Sequence, residues 1–313
     1  MKIAFLFSGQ GAQEQGMGQE LYEAYPIVKD TIDQASKSLG EDIADLSFSE
    51  NEKLHWTPYT QPILLAWSHA MEKLLAEFDV RPDAVAGLSL GEYTALVSAN
   101  ALSFDEAIQL VHKRGRFMDE ACPENTGAMA AVLGGEREVI EEVCKEISKQ
   151  SYVAPANYNM PGQIVIGGEI EGVQLASEEL LERGAKKIVP LEVSGPFHTQ
   201  LLLPAAEALK EELDQITIQD LNKPVYSNTL GKKFASKEDI KPLLVRQVAE
   251  SVLFEDMIQD MIKNGIDTFI EVGPGRVLSR FVKKIDRSVL ALNVNDQKSL
   301  DKVIQALEEN KDE

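Results

Sequence analysis

The stretch Val85-Ala86-Gly87-Leu88-Ser89-Leu90-Gly91-Glu92-Tyr93 constrains this chain more than any other. The apolar run from Ala84 to Ala86 predicts a buried strand, and Leu90, Tyr93, Thr94 and Val97 share the spacing of one helical face. Between them lies Gly-x-Ser-x-Gly. Strand, Gly-x-Ser-x-Gly, helix is the pattern of a nucleophile elbow. The sharp turn forces the serine into strained backbone angles and lifts its hydroxyl clear of the sheet. Glycines flank it because a side chain there would collide with neighbouring elements. The hydroxyl also stands at a helix N-terminus, whose free N–H groups can stabilise an oxyanion. With Gly and Ser each near ~7% of residues, three such positions coincide by chance in roughly one chain of this length in ten. The match gains weight from falling where a strand should meet a helix.

The rest of the chain is compatible with that centre. At 313 residues, with 44% hydrophobic and 26% charged residues, it can build one large α/β domain and a smaller one. No apolar run approaches the roughly 18 residues of a membrane span. Met1-Lys2-Ile3-Ala4-Phe5-Leu6-Phe7 stops at Ser8-Gly9 and reads as a first strand, since a signal peptide needs a longer apolar region. Cys122 and Cys144 are too few for a disulfide framework or a metal site, and fit reduced, structural residues of a cytoplasmic protein. The net charge of −20 argues against nucleic acid or anionic membrane as partner. A strongly acidic partner would need a local basic patch.

Residues 3–7 are expected as the first strand, followed by the polar turn Ser8-Gly9-Gln10-Gly11-Ala12-Gln13, a position that often carries a ligand loop in α/β proteins. Helical patterns cover roughly 18–38, 60–78 and 104–122. Past Pro123 the order becomes strand (129–133), helix (136–149), strand (152–154), strand (163–166), helix (173–183), strand (187–190). That is the split βαβ, ferredoxin-like order. The expected organisation is therefore an α/β-hydrolase-like large domain with a mostly parallel sheet, residues 1–123 and 192–313, carrying an inserted ferredoxin-like subdomain at 124–191. Further helices are expected over 204–216 and most of 240–264, with strands at 224–227, 268–272 and 289–292.

A serine nucleophile needs a base. His69 and His112 lie inside helical patterns and read as structural imidazoles. His55 sits in a polar stretch. His198 follows Ser194-Gly195-Pro196-Phe197 on a loop at a strand exit, which makes it the candidate base. Arg114 falls on the apolar face of its helix, at i+3 and i+4 from Val111 and Leu110. It must find a partner if buried, or else snorkel to solvent.

These residues resemble a known family. Phe7-Ser8-Gly9-Gln10-Gly11-Ala12-Gln13, Gly87-Leu88-Ser89-Leu90-Gly91-Glu92-Tyr93, Arg114-Gly115-Arg116-Phe117-Met118 and Gly127-Ala128-Met129-Ala130-Ala131 are similar to motifs of malonyl-CoA:acyl carrier protein transacylases. So are Asn157-Tyr158-Asn159-Met160-Pro161-Gly162-Gln163, Gly195-Pro196-Phe197-His198 and Glu271-Val272-Gly273-Pro274-Gly275. The seven motifs stand in family order over nearly the whole chain.

The resemblance implies a Ser89 that carries a malonyl ester, His198 as general base and acid, and Arg114 gripping the malonyl carboxylate. It implies an oxyanion hole from the Gln10 and Leu90 N–H groups, and the backbone carbonyl of Gln247 in place of a triad acid. Asn157 and Asn159 are implied at the pocket's side, and Phe197 is expected to crowd a branched α-carbon. Two departures stand out: many relatives have proline at Ser8 and histidine at Leu88. No metal or redox cofactor is implied. The partners implied are malonyl-CoA and acyl carrier protein, bound by a protein expected to be a monomer. Three clusters could dock the acidic carrier: Lys186-Lys187, Lys232-Lys233 in a turn, and Arg280, Lys283, Lys284 and Arg287 on one helical face. A serine thioesterase or esterase, a polyketide-type acyltransferase and a non-catalytic docking module are the alternatives. Arg114, suited to a free carboxylate, speaks against the hydrolase. The joint presence of Ser89, His198, Arg114 and Gln10 speaks against the docking module.

Overall fold

A computed structural model describes residues 1–123, 126–193 and 195–309. The start of the expected insert at residue 124, Ser194 in the re-entry segment and the tail beyond 309 lie outside the described residues. Before the insert run β1 (Ile3–Phe7), α1 (Gln19–Ala24), α2 (Pro26–Leu39), α3 (Ile43–Phe48), α4 (Thr57–Glu77), β2 (Ala84–Gly87), α5 (Leu90–Ser98) and α6 (Phe104–Ala121). Then come β3 (Ala128–Leu133), α7 (Arg137–Ile147), β4 (Val153–Met160), β5 (Gln163–Gly168), α8 (Ile170–Glu182) and β6 (Lys187–Pro190). The chain continues with α9 (Leu203–Gln215), β7 (Tyr226–Ser227), β8 (Lys232–Lys233), α10 (Ile240–Ala249), α11 (Phe254–Lys263), β9 (Thr268–Val272), α12 (Val277–Ile285), β10 (Leu290–Val294) and α13 (Gln297–Glu309).

The large sheet is parallel, in the order β10-β9-β1-β2. Its centre, β1, is apolar at every position because both faces are covered. Phe5 and Phe7 join the larger core on one face, while Ala4 and Leu6 join the smaller core on the other. The second sheet is antiparallel, in the order β4-β5-β3-β6, with α7 and α8 over a core of its own. Its edge strand β4 is tied to the large sheet's domain through Val252, whose N–H donates to Ala156 and whose carbonyl accepts from Tyr158.

Five sequence expectations are corrected here. The helix expected over 18–38 is broken at Tyr25, which is extended because the following Pro26 disfavours helical angles before it. The helix expected over 60–78 starts earlier, at Thr57, and runs through Pro62. Proline has no N–H to offer the carbonyl four residues back. His112 Nδ1 serves that carbonyl of Pro58 instead, at 2.8 Å, so His112 is structural. The helix expected over most of 240–264 is two helices, separated by the extended residues that bind β4. Lys232-Lys233 form β8 rather than a turn, and Arg287 lies beyond the end of α12.

Candidate active site

Ser89 has φ 55° and ψ −102°, at the junction of β2 and α5. A side chain at either flanking glycine is excluded. A Cβ on Gly87 would stand 2.0 Å from the Gly91 carbonyl carbon, and one on Gly91 would stand 2.0 Å from the Phe7 carbonyl oxygen. Asn228, just after β7, clamps the turn from outside. Its Oδ1 accepts the Ser89 N–H at 2.6 Å and its Nδ2 donates to the Gly87 carbonyl at 2.7 Å.

His198 Nε2 lies 2.8 Å from Ser89 Oγ, and Nδ1 lies 2.7 Å from the Gln247 carbonyl oxygen. A carbonyl only accepts, so Nδ1 carries the proton and Nε2 presents its lone pair to the serine hydroxyl. That is the tautomer a base requires. Burial, then the positive charge of Arg114, push the imidazole down to about 4, opposed by its bond to Gln247. At neutral pH it is uncharged and ready to accept a proton.

Arg114 does not snorkel. It is 1% exposed, with its guanidinium over the Tyr93 ring. It donates to Gln61 Oε1 at 2.8 Å, Gln247 Oε1 at 2.9 Å and Ser89 Oγ at 3.2 Å. Its Nε has no partner among the described residues. Both glutamine acceptors are neutral, so no carboxylate pairs directly with the guanidinium. Gln247 thus serves twice, through its main chain to His198 and through its side chain to Arg114. The side chain was not foreseen, and neither were Gln61 and Asn228.

A cavity of about 570 Å³ opens over this group. Gln10, Leu90, Asn157, Asn159 and Phe197 all line it, as do Ser89, Arg114 and His198. The Gln10 side chain donates to Thr57 Oγ1, which pins its loop, and the N–H groups of Gln10 and Leu90 find no acceptor among the described residues. Asn157 and Asn159 come from β4, so the cavity lies between the two sheets. Leu88 also lines it. His55, read from sequence only as part of a polar stretch, is a further lining residue. The opposite wall is α12, through Val277, Leu278 and Phe281. Buried Glu271 holds that helix by accepting the N–H groups of Val277 and Ser279.

Among the described residues no rival centre competes. Cys122 and Cys144 are buried and unpaired, and burial pushes their thiols up to about 11 and about 12, far from the thiolate a nucleophile needs. His69 is bound to Glu72. Among the described residues no group of His, Cys, Asp and Glu could hold a metal ion, and no helix is long and apolar enough to cross a membrane.

Residues 4–312 match the acyl transferase domain. The chain belongs to this family. It is 48% identical over 313 residues to the malonyl CoA-acyl carrier protein transacylase of Bacillus subtilis, covering 99% of each chain. The crystal structure of MCAT from Streptococcus pneumoniae superposes with a TM-score of 0.95 at 52% identity, covering 97% of this chain and 100% of that one. A malonyl-transacylase solved in complex with its type II PKS acyl-carrier protein superposes with a TM-score of 0.95 at 40% identity, covering 98% and 100%. Family members share the α/β architecture described above, and the expectations of fold and family drawn from the motifs agree with it.

Proposed function

We propose that this chain transfers a malonyl group from malonyl-CoA to the phosphopantetheine thiol of acyl carrier protein, through an ester on Ser89. One observation carries the reading: a buried, carboxylate-free guanidinium bonded to the nucleophile itself. An acyl group bearing a free carboxylate supplies the anion that Arg114 lacks. The relatives named above carry this activity in their names.

Ser89 Oγ attacks the thioester carbonyl carbon as His198 Nε2 takes its proton. The oxyanion is held by the N–H groups of Gln10 and Leu90. The C–S bond breaks and coenzyme A leaves with the proton from His198. The phosphopantetheine thiol then gives its proton to His198, and its sulfur attacks the ester carbonyl. Ser89 Oγ departs and recovers the proton. No step calls for a metal or redox cofactor.

The acidic carrier needs positive charge near the mouth of the cavity. Of the three sequence candidates, the α12 group stands on an element that lines it. Arg276, Arg280, Lys283 and Lys302 surround a depression of about 170 Å³, and Lys283, Lys284 and Arg287 border a second, of about 330 Å³. None of the six is in an ion pair among the described residues. The protein acts as a cytoplasmic monomer in fatty acid synthesis on this reading.

Incubation with malonyl-CoA should raise the intact mass by one malonyl group, mapped by peptide analysis to Ser89, and holo carrier protein should remove it. A protein that stays unlabelled, or that takes acetyl from acetyl-CoA equally well, would overturn the proposal.

A further inference from the structure

Glu92 is fully buried in the first turn of α5, three residues past the nucleophile. Nothing in the chemistry above uses it. Its Oε2 accepts from Gln247 Nε2 at 2.6 Å and from the Asn228 N–H at 3.2 Å. Those two residues between them contact the nucleophile, the base and the arginine. Asn228 clamps the elbow at Ser89 and Gly87. Gln247 holds His198 by its main chain, and by its side chain holds Arg114 and the Ser89 carbonyl. The orientation of the Gln247 amide follows from its neighbours. The Ser89 carbonyl only accepts and the guanidinium only donates, so Nε2 must face Ser89 and Glu92 while Oε1 faces Arg114.

We propose that Glu92 is a positioning residue that sets the base and the acyl-gripping arginine together, by fixing the Gln247 side chain and the Asn228 clamp with one carboxylate oxygen. A buried carboxylate is costly to place in a core, and burial pushes Glu92 up to about 7. The contact with Gln247 survives protonation, because the carbonyl oxygen of a neutral carboxyl still accepts. The inference is therefore about an acceptor at this point rather than about its charge. It rests on the malonyl-transfer reading only for its effect on selectivity.

The test compares wild type, Glu92→Leu and Glu92→Gln by two rates. One is modification of Ser89 by a neutral alkyl fluorophosphonate, in which Oγ bonds to phosphorus, fluoride leaves and His198 takes the hydroxyl proton. The other is acylation by malonyl-CoA relative to acetyl-CoA. Glu92→Leu should slow phosphonate modification about tenfold or more and lower the malonyl preference, as loss of an orienting partner does elsewhere. Glu92→Gln keeps an acceptor oxygen and should stay within about threefold of wild type on both rates. Glu92→Leu combined with Gln247→Leu should be no slower than the worse single variant, because the two act through one contact. A folded Glu92→Leu with wild-type rates, a Glu92→Gln as impaired as Glu92→Leu, or additive losses in the double variant would each overturn the inference. If Glu92→Leu does not fold, Gln247→Leu carries the test, and wild-type rates there would also overturn it. A wild type that reacts with phosphonate but never with malonyl-CoA would sink the proposed function, while the phosphonate comparison would still decide the role of Glu92.

Discussion

Replacing Arg114 by alanine tests how the site chooses its acyl group. In the free site the guanidinium is bonded to two neutral amide oxygens, of Gln61 and Gln247, and to the serine hydroxyl. A malonyl carboxylate that takes the place of the two amides exchanges bonds with one ionised partner for bonds with two. Taking the former at the lower end, ~1.5 kcal/mol each, and the latter at the upper end, ~3 kcal/mol each, the exchange gains ~3 kcal/mol. That is about a hundredfold in kcat/KM. Acetyl has no carboxylate and gains nothing from the exchange. Arg114→Ala should therefore lower the malonyl-to-acetyl ratio of kcat/KM by about a hundredfold. The substitution also strands two buried carbonyls and loosens Ser89, but those losses fall on both acyl groups and cancel in the ratio. The assay is the rate of ester formation on the intact protein with each thioester, beside a melting curve showing that the variant folds. Equal losses on malonyl-CoA and acetyl-CoA would refute the argument and leave Arg114 a structural residue.

Ser89→Ala should lose all malonyl labelling by mass while its melting curve stays close to wild type; residual label would move the nucleophile elsewhere. Asn228→Ala removes both clamps on the elbow. It should cost ~1–3 kcal/mol in denaturant unfolding and slow loading, and an unchanged loading rate would mean that the turn holds itself. Arg280→Glu with Lys283→Glu should raise the KM for carrier protein and leave malonyl loading nearly unchanged. Transfer should weaken as salt rises, and salt-insensitive transfer would exclude electrostatic docking. Because His198 is held down to about 4, loading must fall only as pH drops through that value. The kcat/KM for malonyl-CoA, which reports the free enzyme, should stay within about twofold between about pH 5.5 and 7.5, whereas an unperturbed imidazole would lose about tenfold.

What could be read in the sequence was local. The elbow is written in seven consecutive positions because its geometry is set by neighbours in the chain. Arg114 showed itself by being charged on an apolar helical face, and His198 by standing alone among the histidines on a strand-exit loop. The carbonyl of Gln247 came only through family resemblance, since any residue has a carbonyl. Glu92, Gln61 and Asn228 were missed because their partners are distant in sequence: Asn228 lies 139 residues from Ser89 and Gln247 lies 155 from Glu92. A signal for Glu92 did exist. It is the lone charged residue between Asp83 and Asp105, in a segment that is mostly core. The helix breaks had weaker signals. Pro26 marks the first, but nothing local at Ser251-Val252-Leu253 announces a segment pulled straight by pairing with β4.

The charges at the site make sense only as a set. A carboxylate behind His198, as in a Ser-His-Asp triad, would place negative charge near an incoming malonyl group and near the arginine proposed to bind it. The Gln247 carbonyl orients the ring as a neutral dipole and avoids that conflict. Arg114, left with neutral partners, keeps its charge for the proposed substrate, and its field adds to burial in lowering the basicity of His198. On the proposed function a bound malonyl carboxylate would offset that field, while burial, the larger cause, would still hold the imidazole down. Acetyl cancels nothing. On this reading the arginine favours malonyl through binding. Were Glu92 bonded to Arg114 directly, the incoming carboxylate would have to displace another carboxylate and most of this advantage would vanish. The amide of Gln247 between them is what leaves the arginine held in place yet free to exchange its partner.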